Sequence, residues 1–300
     1  MEITNGDTCD RWQPVRLHST SYTPSNVKDD LTPIIFLHGL GSSSLTWNRI
    51  MRVIAEKTGR QVHALDLRNH GKSEWAKIMT IDSVRMDLKN FMSTKNIPKA
   101  VLVSHSFGCM QAMALCLSEP HLVEKIVVEE CIVGKIPNES KRFFQALLMV
   151  MQKAVSHLPR SMTEKEAYNY VNQFLQDNHQ KFQENLGIPS YSKMPKMEVL
   201  PFYKNKETGQ FEWRINLDAI AQYFAKEETS LDLTKAMPFE KQSLFIYGKY
   251  SFFDVEADET CRKKFFPNSQ LHIIENGSHT LHLECPEKYI DLVVNFVQND

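Results

Sequence analysis

The sequence predicts an α/β fold, a mostly parallel central sheet with helices on both faces and a helical cap insertion. Three observations predict it. Six short runs are almost continuously apolar and β-branched, as strands buried on both faces are. Helix-period stripes lie between them. The alternation stops between about residues 136 and 235 and then resumes.

The strands are expected at 33–39 (PIIFLHG), 61–67 (QVHALDL), 99–106 (KAVLVSHS), 125–132 (KIVVEECI), 242–248 (QSLFIYG) and 270–276 (QLHIIEN). After the first, Trp47, Ile50, Met51 and Ile54 fall at i, i+3, i+4 and i+7, and Gly59 stands where a C-terminal cap belongs. Ile81, Val84, Leu88 and Phe91 make a second stripe with Thr80 as its N-cap. A third helix runs from about Cys109 to Ser118 and is stopped by Pro120. The last, PEKYIDLVVNFVQ, opens on Pro286. Alternation of this kind means right-handed βαβ units and a parallel sheet.

Between 136 and 235 the patterns are helical (KRFFQALLMVMQKAV, EKEAYNYVNQFLQ), with a polar stretch at KNKETGQFEW and no strand expected. The division that follows is a core of 1–135 and 236–300 with a helical cap over 136–235. Phe143, Phe144, Leu147, Leu148, Met149, Val150 and Met151 are apolar almost all round, as a buried or substrate-facing helix is.

Composition narrows the function classes. A chain of 300 residues with 42% hydrophobic content can bury a large core. The 35 basic and 36 acidic residues are well mixed, which argues against a nucleic-acid partner. No apolar run reaches the length of a membrane span. The six cysteines (9, 109, 116, 131, 261 and 285) include no Cys-x-x-Cys pair, so neither a zinc ribbon nor a thioredoxin motif is expected. They read as reduced, mostly buried thiols of an intracellular protein. The opening MEITNGDTCDRWQPV lacks the apolar centre of a secretory signal and the Arg-rich character of a transit peptide.

In an open parallel sheet, function collects at the carboxyl ends of the strands. Ser106 lies at such an end, in VLVSHSFGCM, where a tight strand-to-helix turn would expose its hydroxyl. Gly108 suits the crowding of that turn, whereas Ser104 and Cys109 stand where glycine is common. HGLG (38–41) follows the first strand, and the N–H groups of Leu40, next to Gly39, and of Phe107 are the expected oxyanion donors. His279, in ENGSHTLHLE, has the chemistry to take the serine proton. His282, three residues on, raises a His-x-x-His metal pair without a third ligand in view. His105 neighbours Ser106 and should face the other way. Chain order leaves Glu130, Asp218, Asp254 and Asp258 as acids; Ser251 occupies one place where this fold has an acid. Glu130 is favoured because a strand end is rigid, and Glu129 should point away from it.

These stretches resemble the α/β-hydrolase fold. LHGLGSSSLTW resembles its oxyanion loop and LDLRNHGKSEW its Asp-x-Arg-x-His-Gly-x-Ser turn. With AEKTGRQVHALDLRNHGKS, LPRS and FEWRINLDAI, the chain is similar to the serine-hydrolase family of α/β hydrolase domain-containing protein 11. That resemblance implies ester and lipid hydrolysis, including diacylglycerol lipase activity, and a mitochondrial setting, the alternative to which is cytoplasmic. It puts Ser106 and His279 in the nucleophile and base positions and the acid on Asp218, whereas bacterial esterases of similar sequence place an aspartate at Glu130.

The expected activity is a serine carboxylic-ester hydrolase acting on acyl-chain or glycerolipid esters through an acyl-enzyme, with no cofactor and no metal. The alternatives are a thioesterase for acyl or lipoyl conjugates and a ligand-binding protein that kept the fold without turnover.

Overall fold

A computed structural model describes residues 12–186, 200–226, 229–251 and 253–299; the first eleven residues of the opening stretch, Cys9 among them, lie outside these. The elements are β1 (Ser19–Tyr22), β2 (Ile34–Leu37), α1 (Asn48–Thr58), β3 (Val62–Leu65), α2 (Ile81–Thr94), β4 (Ala100–His105), α3 (Phe107–Ser118), β5 (Val123–Glu129), α4 (Asn138–Ser156), α5 (Glu164–Leu186), β6 (Phe202–Lys204), β7 (Phe211–Trp213), α6 (Leu217–Phe224), β8 (Ser243–Gly248), α7 (Glu259–Phe265), β9 (Ser269–Ile274), α8 (Leu281–Glu284) and α9 (Pro286–Gln298). A 3-10 turn over Ser44–Trp47 precedes α1.

The seven-stranded sheet runs β1-β3-β2-β4-β5-β8-β9. All its pairings are parallel except that of β1 with β3. The six expected strands are all present, and β2, β3 and β4 are buried at every residue, which is why they read as continuous apolar runs. β1 was not expected: STSY is a half-buried edge strand whose polar residues carry little apolar signal. One face of the sheet packs on Ile50, Met51, Ile54, Tyr289, Val293 and Val297 of α1 and α9. The other packs on α2 and α3, including Val84, Leu88, Met110, Met113 and Leu115.

The local signals behaved as their chemistry demands. Gly59 caps α1 at φ 69°, where a Cβ would be strained. Thr80 caps α2, its hydroxyl accepting from the Ser83 N–H while the Ser83 hydroxyl accepts from the Thr80 N–H. α3 begins two residues earlier than its apolar pattern indicated, at Phe107.

Between β5 and β8 the chain leaves the sheet, forming α4, α5, α6 and a two-stranded antiparallel hairpin of β6 and β7. The hairpin corrects the expectation that this stretch holds no strand. Its two strands are three residues each, too short for a period-2 pattern to stand out. The Trp213 indole N–H donates to the Met151 carbonyl at 2.7 Å, joining the hairpin to α4. The chain returns at Ile215, which bridges to His70, and at Asn216, whose N–H donates to the Asn69 carbonyl at 2.8 Å.

Candidate active site

β4 passes to α3 through one residue, Ser106, and the reversal holds it at φ 49° and ψ −116°. Such a conformation costs about 1–3 kcal/mol and persists only where neighbours fix it. Here the Ser106 N–H donates to the Glu129 carbonyl at 2.8 Å, and the Cys109 N–H donates to the Ser106 carbonyl at 2.9 Å. At Gly108 a Cβ would lie 2.7 Å from the His38 carbonyl oxygen and 2.8 Å from that of Leu37, so the turn excludes any side chain there. The two departures from the glycine-rich pattern are absorbed by β5. The Ser104 hydroxyl donates to the Val127 carbonyl at 2.8 Å, and the Cys109 thiol donates to the Glu129 carbonyl at 3.3 Å.

His279 reaches this turn from the loop after β9. Its Nε2 lies 3.0 Å from Ser106 Oγ, although 173 residues separate the two along the chain. Its Nδ1 faces Glu130 Oε2 at 3.3 Å. Glu130 is fully buried just past β5, at φ 56°. Its Oε1 accepts from the Gly248 N–H at 2.7 Å and its Oε2 from the Ser251 hydroxyl at 2.7 Å. Burial pushes its carboxyl above the usual range, while His279, the Gly248 N–H and Ser251 pull the other way. The ring of His279 keeps partial exposure, so the cluster is buried on the acid side and open on the serine side.

The first glycine-containing turn runs alongside. The Ser42 N–H donates to the Gly39 carbonyl at 3.3 Å, with Gly41 at φ 71°. A Cβ on Gly39 would stand 2.6 Å from His105 Nδ1 and 3.2 Å from the Ser106 Cβ, so glycine permits the close approach of this turn to the serine. The Leu40 N–H makes no hydrogen bond among the described residues. Phe107 is the first residue of α3, and its N–H precedes the helical ladder. The turn is supported from below by His70, whose Nε2 accepts from the Gly41 N–H at 3.4 Å while Nδ1 donates to the Arg68 carbonyl at 2.9 Å. Burial lowers the His70 pKa to about 3, which keeps the ring neutral and able to accept. A family model described as the alpha/beta hydrolase fold matches residues 32–286.

The chain belongs to the α/β-hydrolase fold family. An α/β hydrolase of zebrafish (Danio rerio), named sn-1-specific diacylglycerol lipase ABHD11, is 28% identical over 99% of this chain and 87% of its own length. The mouse (Mus musculus) protein of the same name is 28% identical over 89% of this chain and 81% of its own. Ethanol acetyltransferase 1 of Cyberlindnera jadinii is 24% identical, covering 88% of this chain and 79% of the relative. Among solved structures, a marine microorganism esterase superposes with a TM-score of 0.72 at 24% identity, covering 94% of this chain and 99% of that one.

Within this α/β hydrolase the other sequence candidates fall elsewhere. Asp218 is exposed in the first turn of α6, where it borders an open cavity of about 300 Å³ with Trp75, Lys77, Asn216 and Gln222. Asp254 accepts from the Ala257 N–H, and Asp258 accepts from the N–H groups of Val133 and Gly134. His105 lies buried beneath the site, and its Nε2 meets the His279 carbonyl oxygen at 2.7 Å. Burial holds its pKa near 3, so Nε2–H serves as a donor to that carbonyl.

Two supporting residues escaped the sequence reading. Glu284 accepts from the N–H and hydroxyl of both Ser278 and Thr280, the two neighbours of His279, at 2.6 to 2.9 Å. An acid four to six residues beyond a Ser-His-Thr triplet is a legible sign of such a clamp. Gly248 is the second. A Cβ there would lie 2.3 Å from the Gly277 carbonyl oxygen, so only glycine lets β8 approach the histidine loop. Among the described residues, no helix is long and apolar enough to cross a membrane.

Proposed function

We propose that this α/β hydrolase is a serine carboxylic-ester hydrolase using Ser106, His279 and Glu130. The observation that carries the reading is one hydrogen-bonded line: Ser106 Oγ to His279 Nε2 at 3.0 Å, then Nδ1 to buried Glu130 at 3.3 Å. Glu130 keeps the proton on Nδ1, leaving Nε2 to accept from the serine. Ser106 then attacks the acyl carbonyl, and the N–H groups of Leu40 and Phe107 receive the developing oxyanion. The imidazolium returns its proton to the leaving alcohol. Water, activated by the same imidazole, releases the acid product and restores Ser106.

The favoured substrates are acyl-chain esters, including diacylglycerol-type glycerolipids. Two facts support this class. The zebrafish and mouse relatives carry the name diacylglycerol lipase. On this chain the apolar α4 reaches the oxyanion turn: Met151 is the side chain that a Cβ on Gly41 would touch, at 3.1 Å. Phe144 of α4 and Phe224 of α6 stack with ring centres 5.3 Å apart. A flexible thioether beside the reacting carbonyl suits acyl chains of varied shape.

A fluorophosphonate probe tests the chemistry. The expected result is labelling of the wild type and none of Ser106→Ala; an unlabelled wild type overturns the reading in favour of a binding protein. A series of p-nitrophenyl esters from acetate to decanoate, run beside matched thioesters, tests the class. Preference for acetate alone removes the lipid assignment, and a thioester rate far above the ester rate makes the chain a thioesterase.

A further inference from the structure

Consecutive glutamates at the end of β5 grip two histidines three residues apart. Glu130 faces His279, as described. Glu129 turns to the opposite side, as strand alternation requires, and meets His282. The Glu129 carboxylate accepts from the His282 backbone N–H at 3.0 Å and lies 2.8 and 2.9 Å from its Nδ1. Both residues are buried, Glu129 wholly and His282 to within 1%. Burial alone would push the Glu129 carboxyl up, but His282 and His105 beside it hold it below the usual range.

The pair is tied to the serine turn, to the histidine loop and to the segment after the oxyanion turn. With Nδ1–H donated to Glu129, His282 Nε2 is left to accept from the Thr46 hydroxyl at 2.8 Å, on the segment that continues the oxyanion turn. The Trp47 ring lies over the His282 ring at 4.3 Å. The His105 ring meets it edge-on at 4.9 Å, and His105 in turn holds the His279 carbonyl. Ser106 follows His105 in the chain, and its N–H donates to the Glu129 carbonyl. His105, Glu129 and His282 also lie close enough to hold a metal ion, with ligand atoms within 4.8 Å of one another. Glu129 already pairs with the His282 N–H and Nδ1, His282 Nε2 with Thr46 and His105 Nε2 with the His279 carbonyl, which assigns the cluster to positioning.

We infer that Glu129 and His282 form a second carboxylate–imidazole pair that positions the His279 loop against Ser106 and the oxyanion turn. The inference rests on the serine-hydrolase reading above. Its energetic logic is alignment: small displacements of a reacting group cost far more rate than binding, about 10²-fold for 1 Å.

The test uses the full chain as wild type, Glu129→Gln, His282→Asn and the double variant. Fluorophosphonate labelling, kcat and KM on p-nitrophenyl butyrate, and Tm are measured for each. The expected result is a kcat loss of about 10–100-fold in either single variant, the size of effect that a misplacement of up to about 1 Å carries. KM stays within a few-fold. The double variant is no slower than the worse single one, because the two residues act as a unit. Variants that lose Tm but keep wild-type kcat overturn the inference, since the pair is then merely structural. If Glu129→Gln does not fold, Thr46→Val decides: a several-fold loss of kcat at unchanged KM supports positioning, and an unchanged kcat overturns it. An unlabelled wild type instead fails the serine-hydrolase reading itself.

Discussion

Ser251 donates its hydroxyl to Glu130 Oε2 at 2.7 Å. The residue that stands where this fold has an acid after the β8 strand is therefore a hydrogen-bond donor to an acid supplied by β5. With the Gly248 N–H on the other oxygen, the carboxylate has its partners before His279 is counted. The carboxylate that faces Nδ1 of His279 thus comes from the end of β5, the strand beside β8 in the sheet.

That relationship sets the first prediction. In Glu130→Gln the Gly248 N–H keeps the amide oxygen and turns the NH₂ toward Ser251 and His279. Nδ1 must then accept, the proton moves to Nε2, and the ring cannot take the serine proton. We expect kcat to fall by up to about 10⁴-fold, as for other triads with the wrong tautomer. Asp218→Asn, on the exposed turn of α6, should stay within a few-fold of wild type. Steady-state kinetics on both variants check this. A collapse confined to Asp218→Asn would move the acid to α6.

The irregular elbow gives a second prediction. Ser104 occupies a position where glycine is common, yet its hydroxyl is paired with the Val127 carbonyl inside the sheet. Ser104→Gly should leave kcat within a few-fold of wild type while lowering stability by about 1–2 kcal/mol, from one lost hydrogen bond and the backbone freedom gained on unfolding. Urea denaturation beside the ester assay tests it. A rise in kcat of tenfold or more would mean that the serine hampers the turn.

The strands were legible because each is buried on both faces, so hydrophobic pattern and fold say the same thing. Ser106, His279 and Glu130 were legible because each sits at a strand end or on the loop that follows one. β1 was not, because its polar, half-buried residues carry little apolar signal, nor was the β6–β7 hairpin, whose strands are three residues each. The support around His279 was hidden for another reason. Glu129 acts through a contact between segments remote in sequence and Gly248 through a backbone clearance, and neither leaves a periodic mark; Glu284 acts locally, four to six residues from the neighbours of His279. Glu129 was expected to point away from the site; its partner there, His282, was visible only as the second half of a His-x-x-His spacing.

A third prediction separates close approach from backbone strain. Gly39→Ala places a methyl 2.6 Å from His105 Nδ1, a ring that its bond to the His279 carbonyl prevents from yielding. Overpacking of this kind costs about 1–3 kcal/mol, and here it also pushes the oxyanion turn off Ser106. We expect both Tm and kcat to fall. Gly209→Ala is the control: φ is 68° but nothing lies within 4 Å of the new methyl. It should cost about 1–2 kcal/mol of left-handed strain with kcat unchanged. Equal effects on kcat at the two positions would deny Gly39 its part in the site.

The last prediction concerns acid. Burial lowers the pKa of His70 and of His105 from 6.5 to about 3. Below pH 6.5 the unfolded chain takes up protons at these rings while the folded chain does not. Their contribution to stability is therefore complete above pH 6.5 and is lost as pH falls toward 3, by up to about 1.4 kcal/mol per pH unit for each ring. Asp66 and Glu129, whose folded pKa values are lowered, act in the same sense at lower pH. Glu130 and Asp258, which burial raises, act in the opposite sense between their ordinary and raised values. Urea midpoints should fall from pH 7 to pH 5. The slope should be shallower in His70→Asn, which removes one of the two rings together with its hold on the Gly41 N–H. A slope that His70→Asn leaves unchanged would mean that this ring titrates in the folded protein, and that the oxyanion turn does not rest on a neutral imidazole.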